Sequence, residues 1–316
     1  MNIDARDRQI LYELDVDCRQ PISRIASKLG MSKQRVSYRI ARLEEEGIIM
    51  GYRTLIDATR LGFIQFRGYV TLRRADEAKV GEIMRFLKGR KEVWGLARIT
   101  GSADIIFVMG ARKTRDYNAF WGEVENKFKP WIARTRVSVY SPIYHFSKAY
   151  LTGKKDETKP RIIGGDPVET DELDMKILKI ISNEARTKAV EIARAAGSDP
   201  ETVAYRIKRL AATGVIQGYR ASIDIEKLGY EYYKADFSLT RTVKREQIRE
   251  YCRQEPNMYQ VNEPIGGGDL EVEFHVRSLH ELLGKIQELR RAFPETIECY
   301  DYIRILNEEK MTYYPE

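Results

Sequence analysis

Met31 to Arg53, MSKQRVSYRIARLEEEGIIMGYR, is the stretch that decides how the chain reads. Gly30 ends one helix, Ser32 is suited to cap the next, and Val36, Ile40 and Leu43 follow at the spacing of one narrow buried stripe. The other side carries Gln34, Ser37, Tyr38 and Ala41, flanked by Arg35, Arg42 and Lys33. These small, hydrogen-bonding or cationic groups suit a polar, anionic partner. Upstream, Gln20 to Leu29 repeats the pattern through Ile22, Ile25, Ala26 and Leu29, so two short helices joined at a glycine form a helix-turn-helix. Gly47 closes the second helix, and Ile48 to Asp57 reads as an extended strand, a wing. Such a unit lays its second helix in the major groove of double-stranded DNA. Arginine and lysine neutralise phosphates there, while Gln34, Ser32 and Ser37 have the geometry to read base edges.

The same unit occurs twice. Setting residue n beside n+167 aligns Asp4–Gly62 with Asp171–Gly229 without a gap, with 23 identities in 59 positions. The run Tyr38-Arg39-Ile40 returns as Tyr205-Arg206-Ile207, and Gly51-Tyr52-Arg53 as Gly218-Tyr219-Arg220. This is a duplication. The copies differ at the start of the recognition helix: Ser32-Lys33-Gln34-Arg35 in the first, Asp199-Pro200-Glu201-Thr202 in the second. A capping acid, a proline at the first helical position and a glutamate suit a helix N-terminus but would face phosphates. The first copy is therefore expected to carry most of the DNA affinity, with Thr202, Tyr205 and Arg209 as weaker contacts of the second. Arg39 and Arg206 lie beside the buried stripe and read as internal ion-pair partners or phosphate contacts. Tyr38 and Tyr205 suit packing as well as contact with the duplex.

After each helix-turn-helix, about 90 residues give the order βαββαβ, a ferredoxin-like sheet with both helices on one face. In the first copy the last strand spans Arg134–Tyr140, in the second Glu298–Leu306. Tyr117, Phe120, Trp121, Val124 and Phe128 form a helical stripe of core size. The α+β chain is thus divided into a winged helix-turn-helix domain (1–57), a ferredoxin-like domain (58–151), a Gly-, Pro- and charge-rich linker (152–168), a second winged helix-turn-helix (169–224) and a second ferredoxin-like domain (225–316).

The 316 residues are 43% apolar and carry a net charge of +7, from 54 basic and 47 acidic side chains. Charge so mixed makes placement matter more than the sum. Cys18, Cys252 and Cys299 form no ligand spacing, the N-terminus lacks an apolar signal core, and no run of 18 apolar residues occurs, which together point to a reduced, cytoplasmic setting without a membrane partner.

With RIxRL, GxIxGYRxxID and LG from Arg39 to Gly62, and a Gly-x-x-Asp turn in each sheet, the chain resembles the Lrp/AsnC (feast/famine) regulators. That resemblance implies DNA binding by the first domain and sheet-to-sheet self-association by the second. It also implies an amino acid or related effector near the turns Gly101–Asp104 and Gly266–Asp269, which read equally well as plain hairpins. Two copies in one chain suggest a covalent pseudo-dimer.

Glu271, Glu273 and His275 alternate on one strand and read as a solvated face, a polar pocket between sheets being second and a metal site weakest. Arg134 and Arg136 of the first copy then suggest pairing of the sheets by opposite charge. The leading reading is a sequence-specific DNA-binding transcriptional regulator, not an enzyme and needing no cofactor. Two alternatives remain. One is a tetrapyrrole enzyme of the sirohaem decarboxylase type, which resembles the family in fold but needs histidines and basic groups gathered together, whereas His145, His275 and His280 are scattered here. The other is an architectural protein making mostly phosphate contacts.

Overall fold

The computed structural model describes residues 3–155 and 158–314. The first helix-turn-helix comprises α1 (Ala5–Val16), α2 (Ile22–Leu29) and α3 (Lys33–Glu45). Asp4 and Asp7 form a capping box at α1, Gly30 leaves α2 in the left-handed region at φ 61°, and the Ser32 hydroxyl accepts from Arg35 N at the head of α3. Val36, Ile40 and Leu43 are buried against Ile10, Leu11, Leu14 and Ile25. The second unit repeats this with α6 (Glu172–Asn183), α7 (Ala189–Ala196) and α8 (Pro200–Ala212), again with a capping box, Asp171 and Asp174, and a left-handed glycine, Gly197.

The strand after each recognition helix pairs with its counterpart. β1 (Ile49–Ile56) and β7 (Ile216–Ile223) form an antiparallel two-stranded ribbon in which Arg53 lies opposite Arg220. Each first helix then lies on the strand of the other copy: Cys18 N donates to Tyr219 O at 3.1 Å, and Ala185 N to Tyr52 O at 2.8 Å. The apolar cores are shared accordingly. Ala221 and Ile223 join the first unit's cluster, while Ile56 and Leu61 join the second's.

The remaining strands make one closed sheet. In the first half these are β2 (Ile64–Leu72), β3 (Val93–Gly101), β4 (Ile105–Ala111) and β5 (Ile132–His145), with α4 (Glu77–Lys88) and α5 (Thr114–Phe128). The second half has β8 (Glu231–Leu239), β9 (Met258–Ile265), β10 (Leu270–Val276) and β11 (Ile297–Met311), with α9 (Arg245–Gln254) and α10 (Leu279–Ala292). The order β5-β2-β4-β3 continues through β3–β11 into β11-β8-β10-β9 and returns through β9–β5. Closure removes every open edge but β6 (Arg161–Ile163), which adds to β5. The helices cover the outer faces, burying the stripe Tyr117, Phe120, Val124 and Phe128 in one cluster and Ile248, Leu282, Ile286 and Leu289 in another.

Three sequence expectations change. The last strands run longer, β5 to His145 and β11 to Met311, because their far ends pair with the other half and with β6. β6 itself lies inside the stretch expected as linker. Glu271, Glu273 and His275 are not solvated: they are 0%, 2% and 3% exposed and point into the closed sheet, with Val272, Phe274 and Val276 on the helix-covered face.

The seams explain two glycines. A Cβ on Gly101, at φ +119°, would lie 2.6 Å from Tyr302 O of β11, and one on Gly266, at φ +83°, 3.0 Å from Val137 O of β5. Only a residue without a Cβ lets the other half's backbone approach so closely. We expect Gly101→Ala to cost about 1–3 kcal/mol, read as a lowered urea midpoint. An unchanged midpoint would show that the β3–β11 seam tolerates the displacement.

Candidate nucleic-acid interface and a basic cavity

On α3, Ser32, Lys33, Gln34 and Arg35 are exposed, Ser37 is half-buried, and Tyr38 is 71% exposed. They therefore share an open face opposite the Val36–Ile40–Leu43 stripe. Arg42, expected at the duplex, is instead tied to the buried Asp7, with Nη2 2.6 Å from Oδ2. Arg39 reaches the same carboxylate at 2.7 Å and Asp4 at 2.8 Å, the internal ion pair that its position beside the stripe suggested. The second copy mirrors this arrangement: Arg206 pairs with Asp171 and Asp174, and Arg209, also expected at the duplex, with Asp174. Tyr205 is open, Thr202 half-buried with its backbone N–H given to Asp199, and Glu201 exposed in the first turn. Arg42 and Arg209 thus fasten the recognition helices to α1 and α6, and the free cations at the head of α3 have no counterpart at the head of α8.

The Gly-x-x-Asp turns are brought to two separate seams. Asp104 accepts from Leu72 N at 2.7 Å, and Asp269 from Leu239 N at 2.8 Å while also pairing with Arg245. Both carboxylates are occupied in holding neighbouring strands. This arrangement fits the plain-hairpin reading of the two turns.

Inside the closed sheet lies a charged network that the sequence divided between the halves. Arg67 of β2 meets Glu273 at 3.0 Å and Glu271 at 3.6 Å, Lys234 meets Glu271 at 2.9 Å and also Asp236, and Arg136 meets Asp236 at 2.7 Å. Opposite charges do join the sheets, but Arg136 takes Asp236 in place of the glutamates, and Arg134 is not part of the network. Burial works to raise the Glu273 carboxyl, yet Arg67, the Tyr232 hydroxyl and the Asn262 amide outweigh it and hold it below the usual range.

Between the ribbon and one mouth of the closed sheet is a cavity of about 320 Å³. Arg53, Lys148, Arg220, Tyr232, His275 and Glu308 are among its walls. Asp15, fully buried on α1, receives Arg220 Nη2 at 2.7 Å and Lys148 Nζ at 2.9 Å. Burial alone would raise its carboxyl, but these two cations and Arg161 hold it far below the ordinary 3.8. Burial, with Arg220 beside it, brings Lys148 down to about 8. His275 Nδ1 lies 2.9 Å from the Tyr150 hydroxyl. His145 is 4% exposed, and its ring nitrogens have no hydrogen-bond partner among the described residues. Burial and the nearby cations push both imidazoles well below their usual pKa, so they stand neutral at pH 7. Two of the three scattered histidines are therefore gathered close to Arg220 and Lys148. Sequence reasoning missed this group because its members come from positions 15 to 308, with no local spacing to mark them.

A winged helix-turn-helix DNA-binding family matches residues 3–50 and 170–217. The proline dehydrogenase transcriptional activator of Rhodobacter capsulatus is 34% identical over 123 residues, which are 38% of this chain and 79% of that protein. The HTH-type transcriptional regulator LrpA of Pyrococcus horikoshii is 38% identical over 116 residues, 36% of this chain and 79% of the other. With this fold and this open recognition face, the chain belongs to the Lrp/AsnC family of helix-turn-helix regulators. Over its full length the fold is similar to that of the siroheme decarboxylase NirDL, with a TM-score of 0.62 at 14% identity, covering 97% of this chain and 92% of that one. This likeness overturns the expectation that the chain is not an enzyme, since an enzyme shares the whole double architecture.

Asp15 neutralises two buried cations, and its removal leaves both unpaired. We expect Asp15→Ala to lose about 3–5 kcal/mol at pH 7, measured by chemical denaturation. Because the folded carboxyl sits below its unfolded value, its contribution is complete above about pH 4 and fades as the pH falls further. The gap between wild type and Asp15→Ala should accordingly close only in stronger acid.

Proposed function

We propose that the chain is a sequence-specific DNA-binding transcriptional regulator in which one polypeptide supplies both reading heads of a pseudo-dimer. The carrying observation is the open face of α3, where Lys33, Gln34, Arg35 and Tyr38 stand free while Arg39 and Arg42 are spent on holding the helix. Lys33 and Arg35 take phosphates, and Gln34 and Ser32 read base edges. Its twin α8 presents Asp199 and Glu201 at the corresponding place and adds less affinity. A small-molecule effector, an amino acid in the simplest case, tunes the binding. Arg35→Ala should weaken binding to a selected genomic fragment by about tenfold or more, roughly 1.4 kcal/mol, in anisotropy titrations at fixed salt. Thr202→Ala should weaken it far less. Equal losses would refute the asymmetry.

A second reading has an observation of its own. The cluster of His145, His275, Lys148 and Arg220 beside the cavity is the kind of gathered imidazole and basic chemistry that a tetrapyrrole carboxylate would meet, in a chain whose whole-length fold is similar to a siroheme decarboxylase. Titration with uroporphyrin III, followed by visible absorbance, tests it. Saturable binding lost in His275→Ala supports tetrapyrrole handling, and absence of a spectral change rejects it.

A further inference from the structure

The 167-residue repeat gives each residue of one helix-turn-helix a twin in the other, and the cavity lies where one pair of twins parts company. Arg53 and Arg220 are twins, lie directly opposite in the ribbon, and both line the cavity. Arg220 is 5% exposed and its guanidinium is clasped by Asp15, with Nε at 2.9 Å and Nη2 at 2.7 Å from Oδ1. The twin of Asp15 is Ser182 on α6. That helix lies on β1 as α1 lies on β7, for the backbone bonds Ala185–Tyr52 and Cys18–Tyr219 join twin pairs. Ser182 is 2% exposed, and its hydroxyl donates to Lys179 O at 2.8 Å. Arg53 therefore meets no carboxylate from the helix that packs on its strand. Its ion-pair partner among the described residues is Glu308 at 3.7 Å, too long for a hydrogen bond, and that carboxylate also lines the cavity.

We propose that this cavity binds a small carboxylate-bearing molecule whose carboxylate takes, on Arg53, the place that Asp15 takes on Arg220. A guanidinium offers a carboxylate two parallel N–H donors, and the twin side of the ribbon displays that use of the same position, Arg220 Nε donating to Asp15 Oδ1 at 2.9 Å and Nη2 to Oδ2 at 2.8 Å. Ile223, Ile305 and Met311 in the walls give a short aliphatic body an apolar bed. Glu308 offers a second handle to a ligand that also carries an ammonium. A volume of about 320 Å³ sits at the small end of the range for ligand pockets. The ligand touches both the ribbon that joins the reading heads and the mouth of the closed sheet, so any difference in its affinity for two arrangements of these parts shifts their balance. That regulatory consequence rests on the regulator reading, while the binding itself does not.

The test uses the full chain without DNA. Thermal unfolding is followed in series of straight-chain carboxylates, from acetate to hexanoate, and of 2-amino acids with the same carbon skeletons. A saturable rise in midpoint is expected in one series or both, with amino acids ahead if Glu308 takes the ammonium. Arg53→Gln should weaken the response by at least about tenfold. Ser182→Asp should abolish it, because the chain then supplies the carboxylate itself, as Asp15 does on the other side. No saturable response in wild type, or one unaltered in Arg53→Gln, overturns the proposal; should Ser182→Asp fail to fold, Arg53→Gln decides. DNA affinity without ligand is measured separately, and its absence would remove the regulator reading while leaving the site in place.

Discussion

Hydrogen bonding between strands of different halves, β3 with β11 and β5 with β9, is the constraint on which the rest of the molecule depends. A four-stranded ferredoxin-like sheet covered by helices on one face has a bare second face and two edges. Here the bare faces meet and the edges are joined, so neither half is complete alone. Closure also fixes where the recognition helices stand, because β1 and β7 leave the helical units as one ribbon and each first helix rests on the other copy's strand.

What fills the closed sheet is costly. Arg67, Lys234, Asp236, Glu271 and Glu273 lie among tyrosines and aliphatic groups with almost no access to water. Attraction between such charges in a dry interior roughly offsets their desolvation, so the network adds little net stability. Its arrangement is unequal, however. The first half contributes Arg67 and Arg136 against an apolar face, and the second contributes all three carboxylates and a lysine. Two second halves facing each other would set six of these carboxylates against two lysines, an excess of like charge in low dielectric. The network thus makes each half fit the other better than itself.

Much of this was legible in the residues. Capping pairs such as Asp4 with Asp7, the left-handed glycines Gly30 and Gly197, and the stripe Val36–Ile40–Leu43 act within a few positions of one another, and local physics sets them. The asymmetry between Lys33-Gln34-Arg35 and Pro200-Glu201-Thr202 was equally plain, because the repeat itself supplies the control. Strand ends and the fate of Glu271, Glu273 and His275 were not. A period of two tells which side chains share a face, but not what lies across from that face, and here the answer is contributed by residues about 200 positions away. Arg42 and Arg209 illustrate the same limit. Each sits on the exposed flank by helical geometry, and only the fold brings a buried aspartate within reach.

The covalent join between the halves has a consequence at low abundance and over many generations. A regulator assembled from separate subunits comes apart on dilution, whereas tethered halves meet at a local concentration independent of how many molecules a cell holds. A single base change in the gene of a homodimer alters both subunits at once, but here it alters one side only. Each side was therefore free to drift on its own, and the exchange of a carboxylate for a hydroxyl between positions 15 and 182 is the kind of divergence that such independence permits.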